Sequence, residues 1–286
     1  MEIYMKKVAV IQDMSSFGKC SLTAAIPVLS VMGIQACPLP TAVLTAQTAY
    51  PSFYCKDLTD EMNHFTTQWY KMGESFDGIH TGFVTGKEQI EHIFKFLDVF
   101  QTSETLLLVD PVMGDDGELY KMYTSALLER MKQLVQRANI LTPNITECCL
   151  LTNSNYEKLY CCCDGKSFVQ ALEVIGQKLQ QETNAQVIIT GVHIPTNDQS
   201  NQTIGNLLID YDRTFFSKQL YNGQSYSGTG DLFSAVVMGS VLRGQNLKVA
   251  IQLAESFISS AIHDTALHNT EPIAGVNFEK FLNMLF

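Results

Sequence analysis

"TLLLVDPVMGDDGELYKMYTSALLERMKQLVQRANILTPNITEC", residues 105–148, changes its hydrophobic period again and again along its length. TLLLVD (105–110) is a short apolar run that ends on an acid, and PVMGDDGELY is polar and carries glycines. Near 124–136 the apolar residues recur every three or four positions; ANILT (138–142) is a second short run, and 144–151 returns to helical spacing. Strand, loop, helix, strand and helix in that order predict a parallel βαβ unit.

The alternation continues outward in both directions. Short runs at 8–12, 34–44, 78–82 and 186–190 read as strands, and segments near 17–32, 57–72, 87–100 and 166–181 read as helices. After residue 190 the pattern predicts two antiparallel strands, near 203–210 and 213–220, and then helices over 229–242 and 246–267. This is an α/β sequence: a mostly parallel central sheet with helices on both faces, in three layers. No linker, charge block or repeat interrupts it, so residues 1–286 are expected to form a single domain.

Composition bounds the function. A chain of 286 residues with 46% hydrophobic and 17% charged residues is that of a globular protein with a sizeable core. A net charge of −10 and no clustered Lys and Arg speak against nucleic acid as a partner. The apolar run after Lys6 and Lys7 stops at Gln12 and Asp13, too short for a secretion signal or a membrane span. Eight cysteines, with Cys148–Cys149 adjacent and Cys161–Cys163 consecutive, form no spaced disulfide framework and no C-x-x-C pair. They are expected to be ordinary reduced thiols in the cytoplasm. The six histidines form no metal motif.

In open α/β sheets ligands bind beyond the carboxyl ends of the strands, and this chain puts its polar, glycine-containing segments there. In SGTGD (227–231), Gly228, Thr229 and Gly230 allow a tight turn whose N–H groups, at the start of a helix, can point at one anion. Asp231 falls in the first helical turn, where the helix dipole is expected to keep it ionised. A glycine turn with an acidic helix start explains the same residues. The DGKS at 164–167 is not a P-loop, because Tyr160 stands where glycine is required. The loop after Asp110 offers Asp115 or Asp116 to a hydrated Mg²⁺, although Asp-Asp-Gly is also a common solvated turn. Thr142, Pro143, Asn144 and Glu147 open the next helix, and capping alone would account for them. Three strand ends that each combine a carboxylate with a donor-rich turn suit a magnesium-bound phosphate chain better than three unrelated caps.

Taken in order, DPVMGDDGELY, TPNITE and SGTGD resemble the ribokinase-like (phosphofructokinase B) superfamily, in its vitamin-kinase branch of pyridoxal and hydroxymethylpyrimidine kinases. The resemblance runs from about residue 6 to 265. It implies transfer of the ATP γ-phosphoryl group to a hydroxymethyl on a small heteroaromatic ring, that of a vitamin B6 vitamer or of a pyrimidine. It further implies Asp231 as catalytic base and Gly228, Thr229 and Gly230 as anion hole. Asp115 and Glu147 become the Mg²⁺-side acids. Asp110, Thr142, Asn144 and Thr190 line the ATP phosphates and a monovalent-cation region suited to K⁺, and Tyr120 lies in a mobile loop over the phosphates. Ser15, Ser16, Leu44, Thr45, Gln47 and Phe83 fall at the vitamin end, where Gln47 is expected to swing its amide between ring types. Pyridoxal kinases often carry histidine and tyrosine where Gln47 and Phe83 stand, and TAQT (45–48) resembles the pyrimidine-kinase version. Homodimers are common in the family. The alternative from another class is a catalytically silent nucleotide-binding protein, which the presence of Asp231 opposes. A Rossmann oxidoreductase is opposed by QDMSSFGKC after the first strand, which lacks G-x-G-x-x-G.

Overall fold

Apolar residues run without alternation through the first strand, and Val8–Asp13 are buried. The computed structural model describes residues 5–121, 123–161, 164–195, 202–211, 213–221 and 223–286. Cys162, Cys163 and residues 1–4 lie outside them. In chain order the first half contains β1 (Lys7–Ser15), α1 (Ser21–Val31), β2 (Gln35–Leu44), β3 (Cys55–Asp57), α2 (Thr59–Lys71), β4 (Gly78–Thr81), α3 (Lys87–Phe100), β5 (Leu106–Val109), β6 (Gly114–Asp115), β7 (Glu118–Leu119) and α4 (Ser125–Val135). The second contains β8 (Ile140–Leu141), α5 (Ile145–Thr152), α6 (Tyr156–Tyr160), α7 (Gly165–Thr183), β9 (Gln186–His193), β10 (Thr203–Asp210), β11 (Arg213–Phe216), β12 (Gln219–Leu220), α8 (Thr229–Leu242) and α9 (Leu247–Leu267). Short 3₁₀ turns follow at Pro272–Ala274 and Phe278–Leu285. The fold is α/β, a mostly parallel mixed sheet flanked by helices, as the sequence pattern predicts.

Contacts gather the chain into two compact units, Met1–Leu108 with Ser225–Phe286, and Val109–Gln224. In the first, β1 pairs in parallel with β2 and with β4, and β3 closes the edge antiparallel to β2. Helices α1 and α2 pack on β1 and β2, and α8 packs on β4 and against α1 and α9. In the second, β8 and β9 are parallel, and β10 runs antiparallel to β9, β11 and β12.

Four differences from the sequence pattern have local causes. Helix α1 starts at Ser21 rather than near 17, because Gly18, Lys19 and Ser21 all take positive φ and make a turn instead. The loop after Asp110 contains the β6–β7 hairpin, closed by Asp116 and Gly117 at φ 50° and 85°, the conformation that a two-residue Asp-Gly hairpin turn needs. Strand β9 continues past Thr190 to His193, through Gly191 at φ 62°, because it keeps pairing with β10. The strand expected at 213–220 is broken at Ser217, whose hydroxyl bonds the backbone N–H and C=O of Asn206 instead of letting the ladder run on.

The first unit has an aromatic cluster of Trp69, Phe76, Phe96 and Phe100, with ring centroids 4.6–5.9 Å apart. Phe96 is fully buried at its centre. Phe96→Ala should leave a cavity there and cost about 3–5 kcal/mol. Urea unfolding followed by the fluorescence of Trp69, the sole tryptophan, reads that loss directly.

Candidate functional site

In the first unit, α8 is buried almost from end to end, Leu232–Ser240 included, so its start cannot shift far. It begins at Gly228 with φ 79°, and a Cβ there would run into the carbonyl oxygen of Lys19. The turn at 18–21 therefore lies directly on the start of α8. Thr229 secures the turn by donating its hydroxyl to Tyr226 O (3.1 Å). The first N–H groups of a helix have no partner inside it, so this corner, half-buried at Gly228 and Thr229 and exposed at Gly230, has the donors an anion needs.

Asp231 sits in that first turn, and its environment corrects the expectation of a carboxylate held ionised by the helix dipole. Burial pushes its proton affinity up, to a pKa of about 7, and the negative charge of Asp13 adds to the effect. N–H donors from Ser21 and Asp231 itself oppose this without cancelling it. A dipole end contributes only a fraction of what removing water from a carboxylate costs.

The vitamin-end residues are also in this unit, and the chain itself engages several of them. Ser15 is buried and donates its hydroxyl to Asp13 Oδ2 (2.7 Å). Ser16 is exposed, and its N–H bonds Leu44 O (3.0 Å). Leu44 is buried in the core, and the exposed Thr45 accepts a bond from Tyr54 N at its hydroxyl (2.9 Å). Phe83 is half-buried and accepts from Thr41 Oγ1 at its carbonyl (3.2 Å). Gln47 does not swing freely. Its Nε2 donates to Ser227 Oγ and Ile273 O, each at 3.1 Å, and its Oε1 accepts from Ala49 N (2.9 Å). Gly18 presses on the same side chain, since a Cβ there would strike Gln47 Cγ. Gln47 thus ties its loop to the approach to α8.

The second unit holds the remaining residues. Asp110 ends β5, buried, and Asn144 and Glu147 form a capping box on α5: Glu147 N donates to Asn144 Oδ1 (2.9 Å) and Asn144 N to Glu147 Oε2 (2.8 Å). The box does more than cap. Met113 N donates to Glu147 Oε1 (3.0 Å), Asn144 Nδ2 to Gly114 O (2.8 Å) and Gly117 N to Thr146 Oγ1 (2.8 Å), so the first turn of α5 carries the β6–β7 hairpin. Tyr120 stands 42% exposed at the end of the hairpin. Thr190 bridges Asn144 in parallel, and the hydroxyl of Thr142 is buried with no hydrogen-bond partner among the described residues.

Burial raises Glu147 well above the usual carboxylate range, and the charges of Asp110 and Asp115 add to it. Burial likewise raises Asp115. Among the described residues no three His, Cys, Asp or Glu side chains are arranged to ligate a metal directly. Three mutually repelling carboxylates and one unpartnered hydroxyl nevertheless suit a hydrated cation bound largely through its waters. Cys20, Cys148 and Cys149 are buried thiols, shifted upward by burial.

Sequence reasoning missed Asp13 and Ser21 as site residues. Asp13 was signalled by an acid closing an otherwise apolar strand; Ser21 had no signal, since its part depends on a positive φ.

Among the described residues no helix is long and apolar enough to cross a membrane. A family model described as phosphomethylpyrimidine kinase matches residues 16–276. The chain is similar to a Bacteroides thetaiotaomicron protein described as a candidate phosphomethylpyrimidine kinase and crystallised with pyridoxal: 34% identity, 99% of this chain and 96% of that one, TM-score 0.88. It is also similar to the Lactobacillus plantarum pyridoxal kinase structure, at 30% identity over 99% and 97% of the two chains, with a TM-score of 0.86. The Dictyostelium discoideum pyridoxal kinase is 26% identical over 96% of this chain and 90% of its own length. With the match covering nearly the whole chain, the protein belongs to the phosphomethylpyrimidine kinase family.

Proposed function

We propose that this protein is an ATP-dependent kinase that phosphorylates the 5′-hydroxymethyl group of pyridoxal, pyridoxine and pyridoxamine. The observation that carries the reading is Asp231: a carboxylate in a glycine-rich helix start, with its proton affinity raised to about 7. Similarity to the Bacteroides protein crystallised with pyridoxal and to two pyridoxal kinases supports the choice of acceptor.

In this reading the acceptor oxygen attacks the γ-phosphorus, the bond to the ADP oxygen breaks, and Asp231 takes the hydroxyl proton. Charge on the equatorial oxygens is met by N–H donors of Gly228, Thr229 and Gly230. Asp231 protonates near neutral pH, which suits a base working there. Asp115 and Glu147 would hold hydrated Mg²⁺, which neutralises phosphate charge when bound, and Asp110 falls with the residues of the phosphate and K⁺ region. Thr142, Asn144 and Thr190 line the phosphate and K⁺ region, and the β6–β7 hairpin with Tyr120 serves as its lid. We read the chain as one kinase domain, working in the cytoplasm as a homodimer; the exposed apolar side chains of Met14, Phe17, Val43, Phe53 and Tyr54 support the last. A second reading, hydroxymethylpyrimidine kinase alone or with B6 activity, is favoured by the matching family model and by TAQT at 45–48.

ADP release measured side by side with pyridoxal, pyridoxine, pyridoxamine and hydroxymethylpyrimidine decides between them. Turnover of the three B6 forms is expected; turnover of the pyrimidine alone selects the second reading, and none at all sinks both.

Asp231→Asn should lower kcat by at least about a hundredfold. It should also stabilise the protein at high pH. A carboxylate whose folded pKa is raised costs stability as pH climbs from its unfolded value through about 7, because the folded state holds the proton longer. At pH 8 the variant should therefore melt roughly 2–6 °C above wild type, with the gain shrinking towards pH 4.

A further inference from the structure

Two carboxylates share one corner of the first unit, and a single serine joins them. Ser21 Oγ donates to Asp13 Oδ1 (2.5 Å), the turn that carries Ser21 lies against Gly228 at the start of α8, and the Ser21 backbone N–H favours the ionised form of Asp231. Ser15 Oγ donates to the other oxygen of Asp13 (2.7 Å). Asp13, Ser15 and Ser21 are all at least nine-tenths buried. Ser21 faces both acids from φ 49°, a left-handed conformation that strains a non-glycine residue and recurs where geometry serves function.

Among the described residues no cation balances this pair. The turn brings Cys20, whose thiol is kept protonated by burial and by the two acids, and Lys19, whose ammonium is on Glu279 (3.0 Å) and over the Phe278 ring. Strand β3 brings the thiol of Cys55, and β4 brings His80, neutral because burial lowers it to about 3, and bonded to Ser234 of α8 (3.1 Å). Among the described residues, the charge acting on Asp231 is that of Asp13. Burial raises Asp13 too, and its two hydroxyl donors oppose that by favouring the ionised form, so of the two acids Asp231 is the one that takes the proton.

We propose that Asp13 is a positioning residue for phosphoryl transfer: held by Ser15 and Ser21 beside the start of α8, it fixes through Ser21 the aim of the Asp231 carboxylate and sets a second carboxylate next to it. The inference rests on the kinase reading for its meaning. An ordinary carboxylate is a weak base for an alcohol proton, and a like charge held beside it corrects that without any group touching the substrate.

The test is Asp13→Asn in the full chain, read in two ways. One is the ¹³C carboxyl titration of Asp231, assigned by its loss in Asp231→Asn; the other is the pH profile of kcat/KM. Asn can keep the bonds to Ser15 and Ser21 while removing the charge. The titration midpoint should fall by about half a pH unit or more from its wild-type position, with the acid limb of the profile following and KM for the acceptor changing less than about threefold. Asp13→Ser, also uncharged, should move the midpoint the same way, so a folding failure of one variant leaves the other to decide. An unmoved midpoint in the folded variant overturns the proposal. A uniform rise in KM with an unmoved acid limb also overturns it, and would make Asp13 a substrate contact. Should wild type turn over no acceptor, the kinase reading fails while the titration still decides what Asp13 does to Asp231.

Discussion

The backbone of the turn at 18–21 lies so close to Gly228 that no side chain fits between them, and much of the first unit follows from that contact. Helix α8 is anchored by its buried length, so the turn must bend to it: Gly18, Lys19 and Ser21 all go to positive φ. The bend delivers the Ser21 N–H to Asp231 and its hydroxyl to Asp13. The Asp231 carboxylate is itself withdrawn from water, which raises its affinity for a proton. A helix start left open to solvent would hold an ordinary ionised acid. Gln47, fastened to Ser227 and Ile273, braces the same corner from the side.

The second unit solves a different problem by a similar economy. A helix start needs caps, and the β6–β7 hairpin needs an anchor; Asn144 and Glu147 do both. The result places like charges near one another in a buried setting, which destabilises the protein on its own and suits a cation when nucleotide is present. Function accounts for both arrangements where stability alone would not: an isolated fold would gain by replacing Asp231 or by separating Asp110 from Glu147.

Much of this was legible in the sequence, because hydrophobic period is a local property. Runs such as TLLLVD and QVIIT became β5 and β9, and the helices over 229–242 and 246–267 fall almost residue for residue where their spacing puts them. What escaped depends on contacts distant in sequence. The break at Ser217 comes from Asn206, and Gln47, which reads as a free amide, spends its hydrogen bonds on residues 227 and 273. The ionisation of Asp231 could not be read from its helix position, since burial and the charge of Asp13, distant in sequence, decide it. The hairpin, by contrast, had a signal: Asp-Gly between two short segments is the favoured two-residue turn.

The most direct test of the central claim, that the contact at Gly228 builds the transfer site, is Gly228→Ala, assayed for turnover and, by calorimetry, for ADP affinity. A Cβ there must displace the turn at 18–21, and the strained φ adds to the cost. Turnover should fall by at least about a hundredfold, the scale of a lost oxyanion donor, while ADP affinity changes less than about threefold. Near-normal turnover in the folded variant, or a loss of ADP affinity as large as the loss of turnover, would contradict it.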